Sequence, residues 1–433
     1  MDYRAALAWL SDHYNLEQGV VAREDAPDLH RMIALMEVMG DPHRTVPFVH
    51  VTGTNGKGST ARMVTALLTT AGLRVGGSAS PHIQQVNERI TVDNVPLDDH
   101  DFAAAVELVA SVEPLVVERL GERPTYFEVT AAAAFGWFAD SGLSAAVVEV
   151  GLGGRFDATN VADGAVAAVT NVGIDHIEWI GPGIEDIAAE KAGIVKPGSL
   201  LVLGETEPEL VSIFAGTPAA EVWQRGIEFD CTANELAVGG RSLSIRTPAA
   251  RYDDLYLPVH GAHQGDNAAV AVAAAEAFAG TPLGADVVAE AMASVTLPGR
   301  FEIVGRHPLT IIDGAHNGDG ARAVVAALLD GFGSGGPTVL VLGCNRPRHP
   351  GELLASLRDI EPSLVVATSA DWAKAVPAAE VAAAARELGA EVAVVEGVAA
   401  AVERAVSVAG GSGTVLVTGS LYVVGEARTH LVG

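Results

Sequence analysis

The sequence has few basic residues for its length. Lys and Arg total 27 against 54 Asp and Glu, which gives a formal net charge of -27. So acidic a surface disfavours nonspecific nucleic-acid binding and docking on anionic lipid, because both need a basic face. It still allows an anionic small substrate, since local positive charge in a cleft can override the overall field. We therefore expect no nucleic-acid partner and no membrane partner.

Cysteine, long apolar runs and a basic leader are also lacking. The two cysteines, Cys231 and Cys344, cannot form a disulfide framework, and neither has a second cysteine or a histidine at metal-binding spacing. Buried, unreactive thiols are expected instead. No segment reaches the roughly 18 uninterrupted apolar residues that a membrane span requires, and Met1–Arg4 does not resemble the start of a secretion signal. These absences predict a cytoplasmic protein.

Hydrophobic residues make up 49% of the 433-residue chain, although aromatics make up only 5%. At about 150 residues per domain, the length suggests two or three domains. Short β-branched runs alternate with Ala-rich stretches, which indicates an α/β protein whose parallel sheets are covered on both faces. The predicted strands are 46–52, 144–150, 165–172, 199–203, 309–312, 338–342, 364–367 and 414–418. The predicted helices include 60–71, 268–279, 321–329 and 378–388.

Segment 210–257 interrupts this alternation. Its short alternating pieces are separated by Gly-Gly and Pro, which predicts a small antiparallel region appended to the first sheet. One helix is then expected to run to about Met292, and the Pro-Gly pair at 298–299 is typical of a hinge between domains. We place the boundary near residue 296, which gives a larger first domain over 1–295 and a smaller, Rossmann-like α/β domain over 296–433.

A glycine-rich loop lies between the strand that ends at Thr52 and a helix. Its glycines allow backbone N–H groups to turn toward phosphate oxygens, Lys57 can neutralise their charge, and Ser59 can reach a magnesium ion. The spacing is not the standard Walker one, because Gly58 separates Lys57 from the hydroxyl. We predict a phosphate-binding loop, with a plain structural turn as the alternative. Its residues are Thr54, Asn55, Gly56, Lys57, Gly58, Ser59 and Thr60.

This loop resembles that of a known enzyme family. Residues 52–59, Thr-Gly-Thr-Asn-Gly-Lys-Gly-Ser, are similar to the nucleotide loop of the Mur ligase superfamily. The Gly-Ser ending is most similar to the folylpolyglutamate synthase/dihydrofolate synthase family. The resemblance implies that the loop binds ATP in a P-loop, parallel-sheet domain, and that a glutamate-ligase domain follows. Further matching motifs occur, in the family's order, at 80–82, 87–90, 149–160, 170–176, 263–268, 298–302, 313–317 and 419–425.

Glu149 ends a predicted buried strand, at the sheet edge where ligand crevices open, so we expect it to bind a cation. The resemblance implies two magnesium ions, one served by Ser59 and the other by Ser80, Glu149 and His176. Histidine is an unusual magnesium ligand, so manganese is expected to substitute. The alternatives are a turn set by the Ser-Pro pair at 80–81 and a histidine with an ordinary structural role.

Lys191 lies in a stretch whose periodicity places it on the apolar face of a helix, together with positions 184, 187 and 188. A buried ammonium group is costly unless it is paired or chemically altered. The resemblance implies that carbon dioxide carbamylates Lys191, which turns the cation into an anion that supports the magnesium site. A buried ion pair between Lys191 and a carboxylate is the alternative.

The resemblance also assigns substrate and nucleotide contacts. The residues implied to contact the pterin substrate are Phe156, Asp157 and Ala158, together with Thr125, Tyr126, Phe127 and Glu128, although Tyr126 and Phe127 also suit packing at a helix start. The residues implied to serve ATP are Asn267 at the adenine, Arg300 at a phosphate, Asp313 near the nucleotide and His316 beside the transferring phosphate. Lys57, Lys191, Arg300 and His316 are the implied catalytic residues.

Two stretches depart from the family pattern and leave the acceptor substrate open. Residues 28–31 replace a Gly-Leu-Glu-Arg-like sequence, and residues 343–349 replace a Lys-Asp pair. The implied reaction is ATP-dependent ligation of L-glutamate to dihydropteroate, reduced folates or both through an acyl phosphate, carried out by a monomer. One alternative is a Mur-type amino-acid ligase acting on another carboxylate. Another is a nucleotide-switch ATPase, for which the site at Glu149, His176 and Lys191 is more elaborate than needed.

Overall fold

The computed structural model describes residues 1–15, 17, 28–332 and 335–433. These residues form two units. The first consists of Met1–Ala237, Arg241–Pro258 and Gln264–Val295. The second consists of Val238–Gly240, Val259–His263 and Thr296–Gly433. The main division therefore falls after Val295.

An eight-stranded sheet is the centre of the first unit. Its strands are β1 (Phe48–Thr52), β2 (Val75–Ser78), β3 (Ile90–Val92), β4 (Val95–Pro96), β5 (Ala145–Glu149), β6 (Val166–Val169), β7 (Leu200–Leu203) and β8 (Glu221–Gln224). Their spatial order is β4-β3-β2-β5-β1-β6-β7-β8. β1 pairs in parallel with β5 and β6, and every residue of these three strands is buried. Burial on both faces explains why the strands are near-continuous apolar runs.

Ten helices of the described chain belong wholly or mainly to the first unit. They are α1 (Tyr3–Ser11), α2 (His30–Val38), α3 (Lys57–Thr70), α4 (Asp99–Leu120), α5 (Tyr126–Asp140), α6 (Ile177–Ile180), α7 (Ile184–Ala192), α8 (Pro208–Ala215), α9 (His263–Ala279) and α10 (Ala285–Ser294). Helices α1, α2, α4 and α5 share one apolar core with β1 and β5. Helices α7 and α8 share another with β6 and β7.

A separate three-stranded sheet completes the first unit. Its strands are β9 (Asp230–Ala237), β10 (Gly240–Arg246) and β11 (Arg251–Leu257), in the order β11-β10-β9. The predicted antiparallel region is confirmed, but segment 210–257 also holds most of α8 and the strand β8, which pairs in parallel with β7. The single helix predicted to run to Met292 is wrong. It is broken between α9 and α10, where Gly280 has a φ of 67° and ends α9.

The second unit is a smaller α/β fold, as predicted. Its strands are β12 (Glu302–Arg306), β13 (Leu309–Ile312), β14 (Thr338–Leu342), β15 (Leu364–Ala367), β16 (Val392–Val394) and β17 (Thr414–Thr418), in the order β12-β13-β17-β14-β15-β16. All neighbours pair in parallel except β12 and β13. Helices α11 (Gly318–Gly331), α12 (Pro350–Leu357) and α13 (Ala378–Glu387) form one core with this sheet. Helices α14 (Val398–Ala409) and α15 (Leu421–Leu431) form the other.

The structure also bears on the two cysteines and on the expected absence of a membrane span. Cys344 is buried as predicted, whereas Cys231 is only partly buried. Burial raises the pKa of Cys344 to about 12 and that of Cys231 to about 11, so both thiols stay protonated and unreactive. Within the residues that the structure describes, no helix is both long enough and apolar enough to cross a membrane.

Candidate active site

The predicted phosphate loop joins β1 to α3. Helix α3 begins at Lys57 rather than at residue 60, because Gly56, with a φ of 82°, forms its N-terminal cap. The first-turn amides of α3 therefore belong to the loop itself, which is the arrangement that favours anion binding. The Lys57 Nζ lies 3.0 Å from the Gly53 carbonyl oxygen and 3.3 Å from that of Thr54. Ser59 and Thr60 are buried in the same turn.

Asn171, which follows β6, fixes the shape of this loop. Its side-chain oxygen accepts a hydrogen bond from the Asn55 amide, and its side-chain nitrogen donates to the Asn55 carbonyl, both at 3.0 Å. Its carbonyl oxygen accepts from the Thr54 amide, also at 3.0 Å. The motif 170–176 identified from the sequence contains Asn171, but the sequence gives a role only to His176. The sequence feature that could have indicated Asn171 is an amide side chain at the end of a predicted strand.

An open cleft brings together residues from three separate motifs. Lys57, His176 and Lys191 line it, along with the loop Gly151–Gly153 and Asp175. Parallel strands place their carboxyl ends on one edge of a sheet, which explains why motifs far apart in sequence meet here. The cleft lies wholly within the first unit.

Glu149 lies at one side of the phosphate loop. It ends β5 opposite Val51 of β1 and is only 7% exposed. Its Oε2 accepts a 3.4 Å hydrogen bond from the Ser80 amide. A Cβ added to Gly58 would lie 3.4–3.5 Å from both carboxylate oxygens, which places the carboxylate over the start of α3, next to Ser59. A carboxylate with serine residues beside it is an oxygen-donor set that fits magnesium.

His176 has a left-handed backbone, with a φ of 55°, immediately before α6. This conformation is unfavourable for a residue other than glycine and is usually retained at functional sites. Its Nε2 lies 3.9 Å from the carboxylate of Asp175, and its side chain is 39% exposed. The structure thus places His176 in the cleft wall, with a carboxylate that the sequence did not single out.

Lys191 lies on α7 and is buried, as the helical periodicity predicts. Burial, together with the positive charge of Lys57, lowers its pKa to about 7. The negative charges of Asp175 and Glu190 partly offset this effect by raising the pKa. In the described part of the chain its amine forms no ion pair or hydrogen bond. The buried ion pair considered as an alternative is therefore not what the structure contains.

Two of the residues predicted to contact the pterin, Phe127 and Asp157, touch the Gly151–Gly153 loop. A Cβ on Gly151 would be 2.5 Å from the Cζ atom of Phe127, so the aromatic ring rests directly on this glycine. Phe156 is half exposed, and its amide donates to Glu190 Oε1 at 3.1 Å. Asp157 and Ala158 are buried at the start of a short 3₁₀ turn.

The stretch 125–128 starts α5 and carries structural contacts of its own. Thr125 and Glu128 form a capping box, with bonds of 2.7 and 3.2 Å between each side chain and the other residue's amide. Glu128 also accepts a hydrogen bond from the Arg31 Nε at 3.0 Å. Arg31, in the stretch 28–31 that differs from the family pattern, therefore contacts the start of α5. The guanidinium of Arg89 lies 5.1 Å from the centre of the Tyr126 ring.

Asn267 lies on α9 in the first unit, against the phosphate loop. Its Nδ2 donates to Gln264 at 3.0 Å. The structure thus brings Asn267 next to Gly56 of the phosphate loop, and its role at the adenine stays a prediction.

Arg300 precedes β12, and Asp313 and His316 follow β13, all within the second unit. The Asp313 carboxylate accepts from the amides of Phe301 and Ala315, both at 2.7 Å, and burial raises its pKa against the attraction of Arg300. A Cβ on Gly314 would be 2.9 Å from the Arg300 Nη1. The Nδ1 of His316 donates to the Gly314 carbonyl at 2.8 Å.

Comparisons with known proteins match both parts of the chain to one family of enzymes. The family model described as Mur ligase middle domain matches residues 51–275, and that described as Mur ligase, glutamate ligase domain matches residues 299–421. The chain is 40% identical to the dihydrofolate synthase/folylpolyglutamate synthase of Mycobacterium tuberculosis, over 71% of this chain and 67% of that protein.

Solved structures are similar over almost the whole chain. Mycobacterium tuberculosis folylpolyglutamate synthase complexed with ADP and AMPPCP superposes with a TM-score of 0.92 at 34% identity, covering 100% of this chain and 99% of that one. Escherichia coli FolC in complex with DHPP and ADP superposes with a TM-score of 0.86 at 28% identity, covering 99% and 97%.

Proposed function

Since this chain belongs to the folylpolyglutamate synthase/dihydrofolate synthase family of Mur ligases, we propose that it joins L-glutamate to the carboxylate of dihydropteroate, of reduced folates or of both, using ATP. The observation that carries the proposal is the cleft of the first unit, where Lys57, His176 and Lys191 meet beside the glycine loop 151–153. The phosphate loop and the glycine loop just before the proposed acceptor residues thus line the same cleft.

Formation of an amide from a carboxylate in water requires an activated acyl group. The γ-phosphoryl group of ATP passes to the acceptor carboxylate and gives an acyl phosphate, which the amine of L-glutamate then attacks as phosphate leaves. Such transfers need positioning and charge neutralisation more than covalent help from the protein. The amides of the first α3 turn would position the phosphates, and Lys57 would neutralise their charge. Asn267 is assigned to the adenine.

Two magnesium ions are proposed as the metals, and manganese is expected to replace them. Ser59 would hold one ion; Ser80, Glu149 and His176 would hold the other. When bound, these ions neutralise phosphate charge. Glu149 is suited to this role because its carboxylate already lies between the Ser80 amide and the start of α3.

Lys191 is proposed to be carbamylated. Its amine nitrogen attacks carbon dioxide, a nitrogen–carbon bond forms and a proton leaves to solvent, so a carbamate anion replaces the cation. The uncharged amine is the reactive form, and a pKa of about 7 provides it at neutral pH. The change in sign also removes the repulsion between Lys191 and Lys57.

Phe156, Asp157, Ala158 and the stretch 125–128 are proposed to form the acceptor side. Within the second unit, Arg300 and His316 are assigned to phosphoryl transfer and Asp313 to the nucleotide. We propose that the protein acts as a monomer, in the cytoplasm, without a nucleic-acid or membrane partner.

The test is ADP release by the purified protein with ATP, magnesium and L-glutamate, with dihydropteroate and tetrahydrofolate added in separate reactions. Release that needs dihydropteroate establishes the synthase step, and release with tetrahydrofolate establishes chain extension. Release without any acceptor supports the nucleotide-switch alternative. If neither acceptor stimulates release, the folate assignment fails, and the departing stretches 28–31 and 343–349 become the region in which to seek another carboxylate substrate.

A further inference from the structure

His50 is a buried histidine in the middle of the main sheet. It lies on β1, opposite Val148 of β5 and Ala167 of β6, and is 0% exposed. An imidazole in such apolar surroundings destabilises the fold unless it is hydrogen-bonded. Its Nε2 lies 2.9 Å from the hydroxyl oxygen of Thr159, whereas its Nδ1 has no hydrogen-bond partner among the described residues.

The hydrogen bond between Thr159 and Asp157 determines which partner donates in the bond between His50 and Thr159. The Thr159 hydroxyl donates to Oδ1 of Asp157, at a short distance. A hydroxyl has a single proton, so it accepts from His50, which must carry its proton on Nε2. Burial lowers the pKa of His50 to about 3, with a smaller effect of the Lys196 charge, so the ring is neutral at working pH and this tautomer is its donor form.

Asp157 connects Thr159 to the loop that lines the cleft. Its Oδ2 accepts from the Leu152 amide at 2.8 Å, and its Oδ1 also accepts from the Thr159 amide at 3.0 Å. Leu152 belongs to the loop Gly151–Gly153 that lines the cleft and supports the Phe127 ring. A chain of hydrogen bonds therefore runs from the centre of the sheet, through His50, Thr159 and Asp157, to the cleft wall.

We propose that His50 and Thr159 are positioning residues for the carboxylate acceptor, which fix Asp157 so that it holds the loop Gly151–Gly153 in the shape that acceptor binding requires. This inference rests on the proposed function. The phosphate loop is held by a separate contact: the Asn171 side chain exchanges two hydrogen bonds with the Asn55 backbone, both at 3.0 Å. Loss of the His50–Thr159 pair should therefore affect the acceptor and leave ATP binding intact.

The test is steady-state kinetics of Thr159→Val, which removes the hydroxyl and keeps the shape. The KM for the acceptor should rise about tenfold, the value of one buried hydrogen bond. The KM for ATP should stay within about twofold, because its contacts do not involve this pair. Thr159→Ser should restore acceptor binding. His50→Leu should act in the same direction, and the double variant should be no worse than the more severe single one.

The matched control is Thr310→Val in the second unit, where another buried threonine hydroxyl donates to the Pro308 carbonyl at 3.2 Å. It should lower stability without changing either KM. An unchanged acceptor KM in Thr159→Val, or equal rises in the KM for ATP and for the acceptor, would overturn the positioning role.

Hydrogen exchange at the Leu152 amide separates this inference from the proposed function. The exchange should be faster in Thr159→Val than in Thr159→Ser. If no folate acceptor stimulates the wild type, the proposed function fails, and exchange still decides whether the chain of hydrogen bonds holds the loop. Unchanged exchange overturns the inference whatever the substrate.

Discussion

The side-chain oxygen of Asn267 lies in the space where a side chain on Gly56 would begin, so a Cβ at Gly56 would overlap with it. Gly56 also has a φ of 82°, in the left-handed region that favours glycine. The phosphate loop and α9 are therefore in direct contact at this point. Both the backbone conformation and the close approach require glycine at position 56.

Gly56→Ala should impair ATP binding through this contact. The left-handed backbone alone costs about 1–2 kcal/mol of stability, and the overlap moves either the loop or Asn267. We expect ATP affinity to fall at least about tenfold, measured by calorimetry. Gly72→Ala is the matched control, because Gly72 has a φ of 93° but open space around it. Equal ATP affinity in the two variants would contradict this account.

The ion pair between Arg89 and Glu17 should contribute more to stability than exposed pairs do. Arg89 is 2% exposed, and its Nη2 lies 2.8 and 2.7 Å from the two carboxylate oxygens of Glu17. Glu17→Gln removes the negative charge that faces this buried guanidinium, and we expect a loss of about 2–3 kcal/mol in the free energy of unfolding, measured in urea.

The control for that variant is Glu37→Gln, which breaks an ion pair with Arg119 whose partners are both about half exposed. Solvent screens such a pair, so the change should be within about 1 kcal/mol. Similar losses in the two variants would show that burial does not strengthen the pair at Arg89.

The sequence determined the sheets better than the segments between them. Strands such as Leu309–Ile312 agree with their predicted bounds because burial on both faces makes the whole strand apolar. Helix α8 and strand β8 were missed because short elements at a sheet edge carry little periodicity. The end of α9 depended on Gly280, a single residue inside a long Ala-rich stretch.

For the site, the sequence could indicate Lys57, Glu149 and His176, because each lies at or just after the carboxyl end of a predicted strand, where the crevice opens. It could not indicate the contact between His50 and Thr159. These residues are 109 positions apart, and the contact depends on how the 3₁₀ turn after β5 packs onto β1. Contacts of this kind follow from tertiary packing and have no local signal.

Glu149→Gln should weaken metal activation, because it removes the negative charge at the start of α3 and keeps the shape. We expect the magnesium concentration for half-maximal ADP release to rise at least about tenfold. Manganese binding, measured by electron paramagnetic resonance, should weaken in parallel.

Glu205→Gln is the matched control for the metal site. Glu205 is also buried just after a strand of the same sheet, but its oxygens accept from the amides of Val172 and Thr206, both at 2.8 Å. This variant should lower the melting temperature and leave the metal dependence unchanged. If the two variants show the same metal dependence, Glu149 does not bind the ion.

Lys191 should make stability depend on pH in a defined window. Burial lowers its pKa from 10.5 to about 7 in the folded protein. Below pH 7 both folded and unfolded chains hold the proton, and the folded state bears the full desolvation penalty. Between pH 7 and pH 10.5 the folded state releases the proton, so the penalty fades as pH rises, and above that range it is absent.

Lys191→Met should therefore stabilise the protein by about 5 kcal/mol at pH 6 and by almost nothing near pH 10.5, in carbon-dioxide-free buffer. Urea unfolding at several pH values measures the difference. At neutral pH, bicarbonate should stabilise the wild type and so reduce its difference in stability from Lys191→Met, because carbamylation removes the buried cation. Bicarbonate should not restore ADP release in Lys191→Met. A difference independent of pH would mean that the lysine keeps its proton throughout. The uncharged amine that carbon dioxide needs would then be absent, and carbamylation could not be the reason for a lysine at this position.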